Sequence, residues 1–158
     1  MTVGLTVEAA TRATAELETA LALLMPQLNP ALVGPTLQEL KAVLADPATT
    51  LLVAREGTEI VATATVIVYT TPAWTKARIE DLVVDEGRRG HGVGEALVKK
   101  CLSVAEERGA SVVELQSARR REVANRLYPR LGFERRESNV YRMVIGVRGS
   151  ERGGRAHT

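Results

Sequence analysis

Residues 88–94 read RRGHGVG and follow directly on the apolar run IEDLVV at 79–84. Glycine stands at 90, 92 and 94. From Val93 the pattern turns helical, with Val93, Leu97, Cys101, Val104 and Ala105 on one stripe. A strand that passes through glycines into a helix makes an anion site. The first helical N–H groups lack internal partners, the helix dipole leaves partial positive charge there, and glycine lets the backbone approach a ligand closely. The fold therefore has to be organised around a strand–loop–helix unit whose exposed backbone receives a phosphate group.

Three phosphate-binding patterns compete for this segment. A P-loop needs Lys-Ser/Thr after its last glycine, and here Glu95-Ala96 follows. The dinucleotide fingerprint needs G-x-G-x-x-G early in the chain, whereas these glycines are spaced G-x-G-x-G and lie past its middle. The third pattern, R/Q-x-x-G-x-G/A, is met by Arg89, Gly92 and Gly94.

The flanking sequence supplies the remaining elements. LTVEA at 5–9 reads as a first strand, and Leu17, Leu21 and Leu24 share a face of a helix over 12–25 that PQLNP is expected to end. TLQELKAVLAD predicts a second helix with Leu37, Leu40 and Leu44 on one side. The β-branched stretch from Thr50 to Tyr69, broken by EGTE, predicts a hairpin. A strand over 77–85 precedes the glycines, SVVELQ is a short strand, REVANRLYPRLGF is a helix, and ERRESNVYRMVI predicts a last strand or hairpin. The expectation is an α/β (α+β) mixed central sheet of about six or seven strands flanked by about four helices. Residues 1–147 form one domain in this reading, and 148–158 a disordered basic tail.

Composition narrows the function. The 158 residues are 45% hydrophobic and 25% charged, as in an ordinary globular domain. Three arginines against one glutamate in 148–158 account for the whole formal charge of +2, so the body is neutral and a general nucleic-acid binder is disfavoured. The arginines at 119, 120, 121, 126, 130, 135 and 136 suit either a solvated face or a local site for a phosphorylated ligand. No apolar run reaches membrane-span length, and the start lacks the pattern of a signal peptide. The single cysteine excludes an internal disulfide and a cysteine-rich metal site. A cytoplasmic protein without a metal or a membrane partner is expected.

The loop R-x-x-G-x-G, the run IEDLVVDEGRRGHGVGEALV around it and the later NRLYPRLGF together resemble the GNAT superfamily of N-acetyltransferases. The resemblance covers about residues 5–145. Within the family, IEDLVV paired with NRLY…LGF is similar to the glucosamine-phosphate N-acetyltransferases.

The resemblance implies acetyl-CoA as co-substrate and a direct attack by a primary amine in a ternary complex. Leu82, Val83 and Val84 would hold the pantetheine arm through backbone amides. Arg88, Arg89, Gly90, His91, Gly92, Val93 and Gly94 would hold the pyrophosphate, with at least one of the two arginines on phosphate. Asn125 would bond the cofactor near its pantetheine arm. Tyr128 would protonate the leaving thiolate, and Glu80 would serve as general base. Asp81 would bind the amine, and Trp74 would wall the substrate pocket. Strand alternation puts Arg78, Glu80, Leu82 and Val84 on one face and Ile79, Asp81 and Val83 on the other. Pro129 biases Tyr128 out of helical geometry, so the helix is expected to end or kink there. Cys101 reads as a core residue. The first two helices, their connecting loop and the last hairpin would set the acceptor, taken to be a small molecule, and a homodimer is possible. The alternative is a non-catalytic acyl-CoA sensor or interaction module.

Overall fold

The computed structural model describes residues 4–146. The tail assigned to 148–158 lies outside the described residues. The elements run β1 (Leu5–Ala9), α1 (Ala15–Leu28), α2 (Leu37–Ala45), β2 (Thr49–Glu56), β3 (Glu59–Thr70), β4 (Thr75–Val84), α3 (Val93–Glu107), β5 (Val112–Leu115) and α4 (Glu122–Arg130). The sheet has five strands among the described residues, in the order β1-β2-β3-β4-β5. β1 to β4 pair antiparallel, and β5 joins β4 in parallel after the crossover through α3. The mixed α/β architecture and the four α-helices agree with the expectation; the strand count is lower.

Alternation on β2 and β3 divides the core in two. Leu52, Ala54, Ala62, Ala64 and Val66 join Ala77 and Ile79 against the buried stripe of α3, which is Val93, Leu97, Cys101, Val104 and Ala105 as its spacing predicts. Leu51 and Val53 face the other way, onto Leu17, Leu21 and Leu40 of α1 and α2. Both of these helices start on threonine caps: Thr14 Oγ1 accepts from Leu17 N–H at 3.1 Å, and Thr36 Oγ1 from Glu39 N–H at 3.2 Å.

Two prolines do not stop their helices. α1 continues through Pro26 to Leu28, and α4 continues through Pro129 to Arg130. Each proline sits in the last turn, where a single i→i−4 bond is lost and the helix side chains are already packed. After Tyr128 the chain turns on Phe133 N–H bonding Tyr128 O at 3.0 Å, with Gly132 at φ +99°.

The expected last strand or hairpin does not form either. From Glu134 to Ile145 no ladder is made, and Val140, Tyr141, Met143, Val144 and Ile145 are 67–92% exposed. Period and composition there suit a strand, but no neighbouring strand pairs with it, and strand structure exists only with a partner.

β4 carries the irregularity that shapes the site. Thr65 pairs with Glu80 and Thr63 with Val83, so Ala64 alone stands opposite Asp81 and Leu82. This is a β-bulge, and Asp81 takes φ +52°, the single positive φ outside glycine among the described residues. The extra residue shifts the alternation. Glu80 and Val83 share one face, while Ile79 and Val84 share the other, which corrects the uninterrupted alternation expected for 78–84.

The loop between α1 and α2 is held close by Gly34. A Cβ there would lie 2.6 Å from the Ala22 backbone on α1. Gly34→Ala is therefore expected to cost about 1–3 kcal/mol, as over-packing does, read as a lower urea midpoint at unchanged m-value.

Candidate functional site

β5 pairs with β4 only over Lys76–Ile79 against Val112–Leu115. Beyond Ile79 the two strands separate, and among the described residues no further rung joins β4 to β5. The joined end is fastened by an ion pair of Lys76 with Glu114, which holds the Glu114 carboxyl below its ordinary range, and by Arg78 Nη2 on Gln116 Oε1 at 3.3 Å. The open end holds a pocket of about 150 Å³, lined from β4 by Ile79, Glu80, Asp81 and Leu82. Leu115 and Gln116 close its β5 side, Arg121 and Tyr128 come from α4, and Leu28 from the end of α1.

At the end of β4 a single 3-10 turn, Glu86–Arg88, leads into the glycines. Gly90 and Gly92 have φ +83° and +81°, a region closed to most side chains. Gly92 caps α3, whose first intrahelical bond is Ala96 N–H to Gly92 O at 3.1 Å. The N–H groups of Val93, Gly94 and Glu95 precede that bond and are the free donors of the helix start. Val93 buries its side chain while His91 is exposed.

The two arginines of the loop take different roles. Arg88 is gripped by Glu56 Oε2 at 2.6 Å and Glu59 Oε2 at 3.0 Å, which anchors the loop to the β2–β3 hairpin. Arg89 is exposed and bonds Val84 O through Nε at 3.1 Å, leaving its terminal nitrogens outward. The structure thus turns Arg88 inward to carboxylates and keeps Arg89 at the loop surface.

Of the two catalytic candidates, both line the pocket. Glu80 accepts from Arg78 Nε at 2.8 Å. Tyr128 is 9% exposed and packs edge-on to Phe133, with ring centroids 5.8 Å apart. Burial raises the Tyr128 phenol pKa; the Arg121 charge pulls it down and Cys101 adds to the rise. The phenol is therefore neutral at physiological pH and retains its proton as a donor. Asp81 is exposed and also lines the pocket. Asn125 directs its amide to Ala118 O at 2.9 Å and so holds the β5–α4 loop in place.

Trp74 departs from the sequence reading. It is 50% exposed at the opposite end of β4, beneath Lys76 at 5.1 Å, and does not line the pocket. Six residues of strand from Glu80 put it about 20 Å away. Among the described residues, no cluster of three or more His, Cys, Asp or Glu could hold a metal.

Sequence reasoning missed Leu28, Gln116 and Ser117, and marked Arg121 only as one of a cluster of arginines. Ser117 Oγ, just past the pocket-lining Gln116, is buried without a hydrogen-bond partner among the described residues. No motif marks these positions; only the fork brings them beside β4.

The architecture is a mixed α/β sheet whose β4 and β5 part beside a glycine-capped helix start. The model of the acetyltransferase (GNAT) family matches residues 17–133. The chain belongs to that family. An uncharacterized N-acetyltransferase of Methanocaldococcus jannaschii is 41% identical over 61 residues, 39% of this chain; the match spans about a quarter of that relative's length, 27%. A putative acetyltransferase from Agrobacterium tumefaciens superposes with TM-score 0.76 at 28% identity, over 88% of this chain and 99% of that one. An aminoglycoside acetyltransferase from an uncultured soil metagenomic sample gives TM-score 0.74 at 26% identity, over 92% and 99%.

Cys101 is fully buried, and burial pushes its thiol up to about 12. A thiol reagent at pH 8 is expected to leave native Cys101 unmodified and to label it on unfolding, because the thiolate is the reactive form. Fast labelling of native protein would return the cysteine to the list of nucleophiles.

Proposed function

We propose that this protein transfers the acetyl group of acetyl-CoA to a primary amine on a small molecule, by direct attack in a ternary complex. The observation that carries the reading is the fork: the Leu82–Val84 edge of β4, past its last rung to β5 and ending in a glycine loop at a helix start, is complementary to a pantetheine arm followed by a diphosphate.

In this reading the pantetheine lies along Leu82–Val84 as an added strand, and the N–H groups from Arg89 to Gly94 take the pyrophosphate, with the Arg89 guanidinium beside it. The thioester then sits at the pocket between Glu80 and Tyr128. The amine loses a proton to Glu80, directly or through water, and its nitrogen forms a bond to the thioester carbonyl carbon. The C–S bond breaks, and the sulfur leaves as thiolate and takes the proton of the Tyr128 hydroxyl. Asp81, held out by the bulge, faces the incoming ammonium. Arg121 keeps positive charge beside the phenol as it gives up its proton.

The aminoglycoside acetyltransferase among the structural relatives supports a small polar amine as acceptor. A homodimer is part of the same proposal. It is supported by the apolar run at 140–145, which a single copy leaves in water. Light scattering giving twice 17.1 kDa is the expected result.

The test is calorimetric titration with acetyl-CoA, with free CoA alongside, followed by thiol release over a panel of amines. Micromolar, saturable binding is expected. Tyr128→Phe and Glu80→Gln should each lower turnover on the order of 10²-fold or more while keeping acetyl-CoA affinity. Binding with no turnover on any amine would favour the acyl-CoA sensor, and no binding up to millimolar concentration would remove both readings.

A further inference from the structure

The last turn of α1 touches both halves of the proposed site. Leu28 lines the pocket. Its neighbour Gln27 reaches across 58 residues of sequence to the point where β4 becomes loop. Gln27 Nε2 donates to Asp85 Oδ1 at 2.9 Å and to Leu23 O at 3.2 Å, and Oε1 accepts from Glu86 N–H at 2.8 Å. The two amide hydrogens and the carbonyl are all used. A flipped amide would set its NH2 against an N–H and its oxygen against a carboxylate and a carbonyl, so the network admits one orientation.

Asp85 and Glu86 are where the loop's direction is decided. Asp85 N–H still bonds Val61 O of the sheet at 2.8 Å, whereas Arg88 N–H already folds back onto Asp85 O at 2.8 Å. Gln27 holds this junction on one side and the Arg88 ion pairs hold the turn on the other. A shift in the last turn of α1 moves Leu28 in the pocket and Gln27 on the loop together.

We propose that Gln27 is a positioning residue that sets the pyrophosphate-binding loop from α1. The proposal rests on the acetyl-CoA reading. It predicts a selective defect: ligands that carry the diphosphate lose affinity, and ligands that end at pantetheine do not.

Gln27→Leu keeps the side chain's bulk and removes all three bonds. Its affinity for acetyl-CoA, measured by calorimetry, should fall about tenfold, the scale of a lost charge-assisted hydrogen bond. Its affinity for S-acetylpantetheine, read by ligand-observed NMR, should stay within about twofold. Asp85→Asn retains an acceptor for the Gln27 amide and should keep the wild-type acetyl-CoA affinity. Should Gln27→Leu fail to fold, Asp85→Leu removes the central bond from the other side and carries the same expectation. Unchanged acetyl-CoA affinity, or an equal loss for both ligands, overturns the proposal. Wild-type protein that binds no acetyl-CoA overturns the function reading, and this one with it, before any variant is compared.

Discussion

A parallel strand pair that separates after four residues is the constraint to which the rest of this structure answers. Buried backbone N–H and C=O groups need partners, and β4 runs on past its last bond to β5 with one edge unpaired. Such an edge persists only where solvent or a ligand completes it. Closing the near end with Lys76–Glu114 and Arg78–Gln116 localises the opening, and the pocket forms where the separation begins. The bulge at Asp81 sits at that same point. It puts Glu80 and Val83 on one face of β4, beside the point where β5 leaves.

The glycine loop depends on the fork in turn. A loop with two residues at positive φ has little intrinsic preference for one shape. Its position comes from its ends: α3 is buried along its stripe, Arg88 is fixed by two glutamates, and Gln27 holds the Asp85–Glu86 junction. The flexible backbone is thus carried between rigid anchors. That arrangement favours anion binding, because the entropy of ordering the N–H groups is largely lost already in the free protein.

The sequence made the strand–loop–helix unit legible because its signals are local: β-branched run, glycines, then an amphipathic stripe. The hairpin and the α3 core followed from the same short-range patterns. The bulge was not legible, since alternation over IEDLVV looks unbroken and the insertion exists only relative to β3. The two prolines misled for a related reason: propensity says that a helix stops, while packing and a single lost bond in the last turn let it continue. The segment at 134–145 has strand composition but no partner strand, and partnership is not written in local sequence. Trp74 stands in the loop before β4, and strand length carries it away from the pocket; which of the two loop arginines turns inward depended on Glu56 and Glu59, which are distant in sequence. Gln27, Gln116, Arg121 and Ser117 carry no motif at all, and each gains its meaning from an element distant in sequence.

The proposed chemistry asks two titratable groups that line one pocket, Tyr128 and Glu80, to play opposite parts. Tyr128 is buried among apolar neighbours, which disfavours its charged form and keeps the phenol protonated. Glu80 stands in a different setting, bonded to Arg78 Nε at 2.8 Å. Tyr128 from α4 and Glu80 from β4 thus line one pocket where β4 and β5 part. The Arg121 charge opposes that rise. Acyl transfer from a thioester to an amine needs one proton removed at nitrogen and one supplied at sulfur, and separate environments for the two carriers are the arrangement that serves both demands at a single pH.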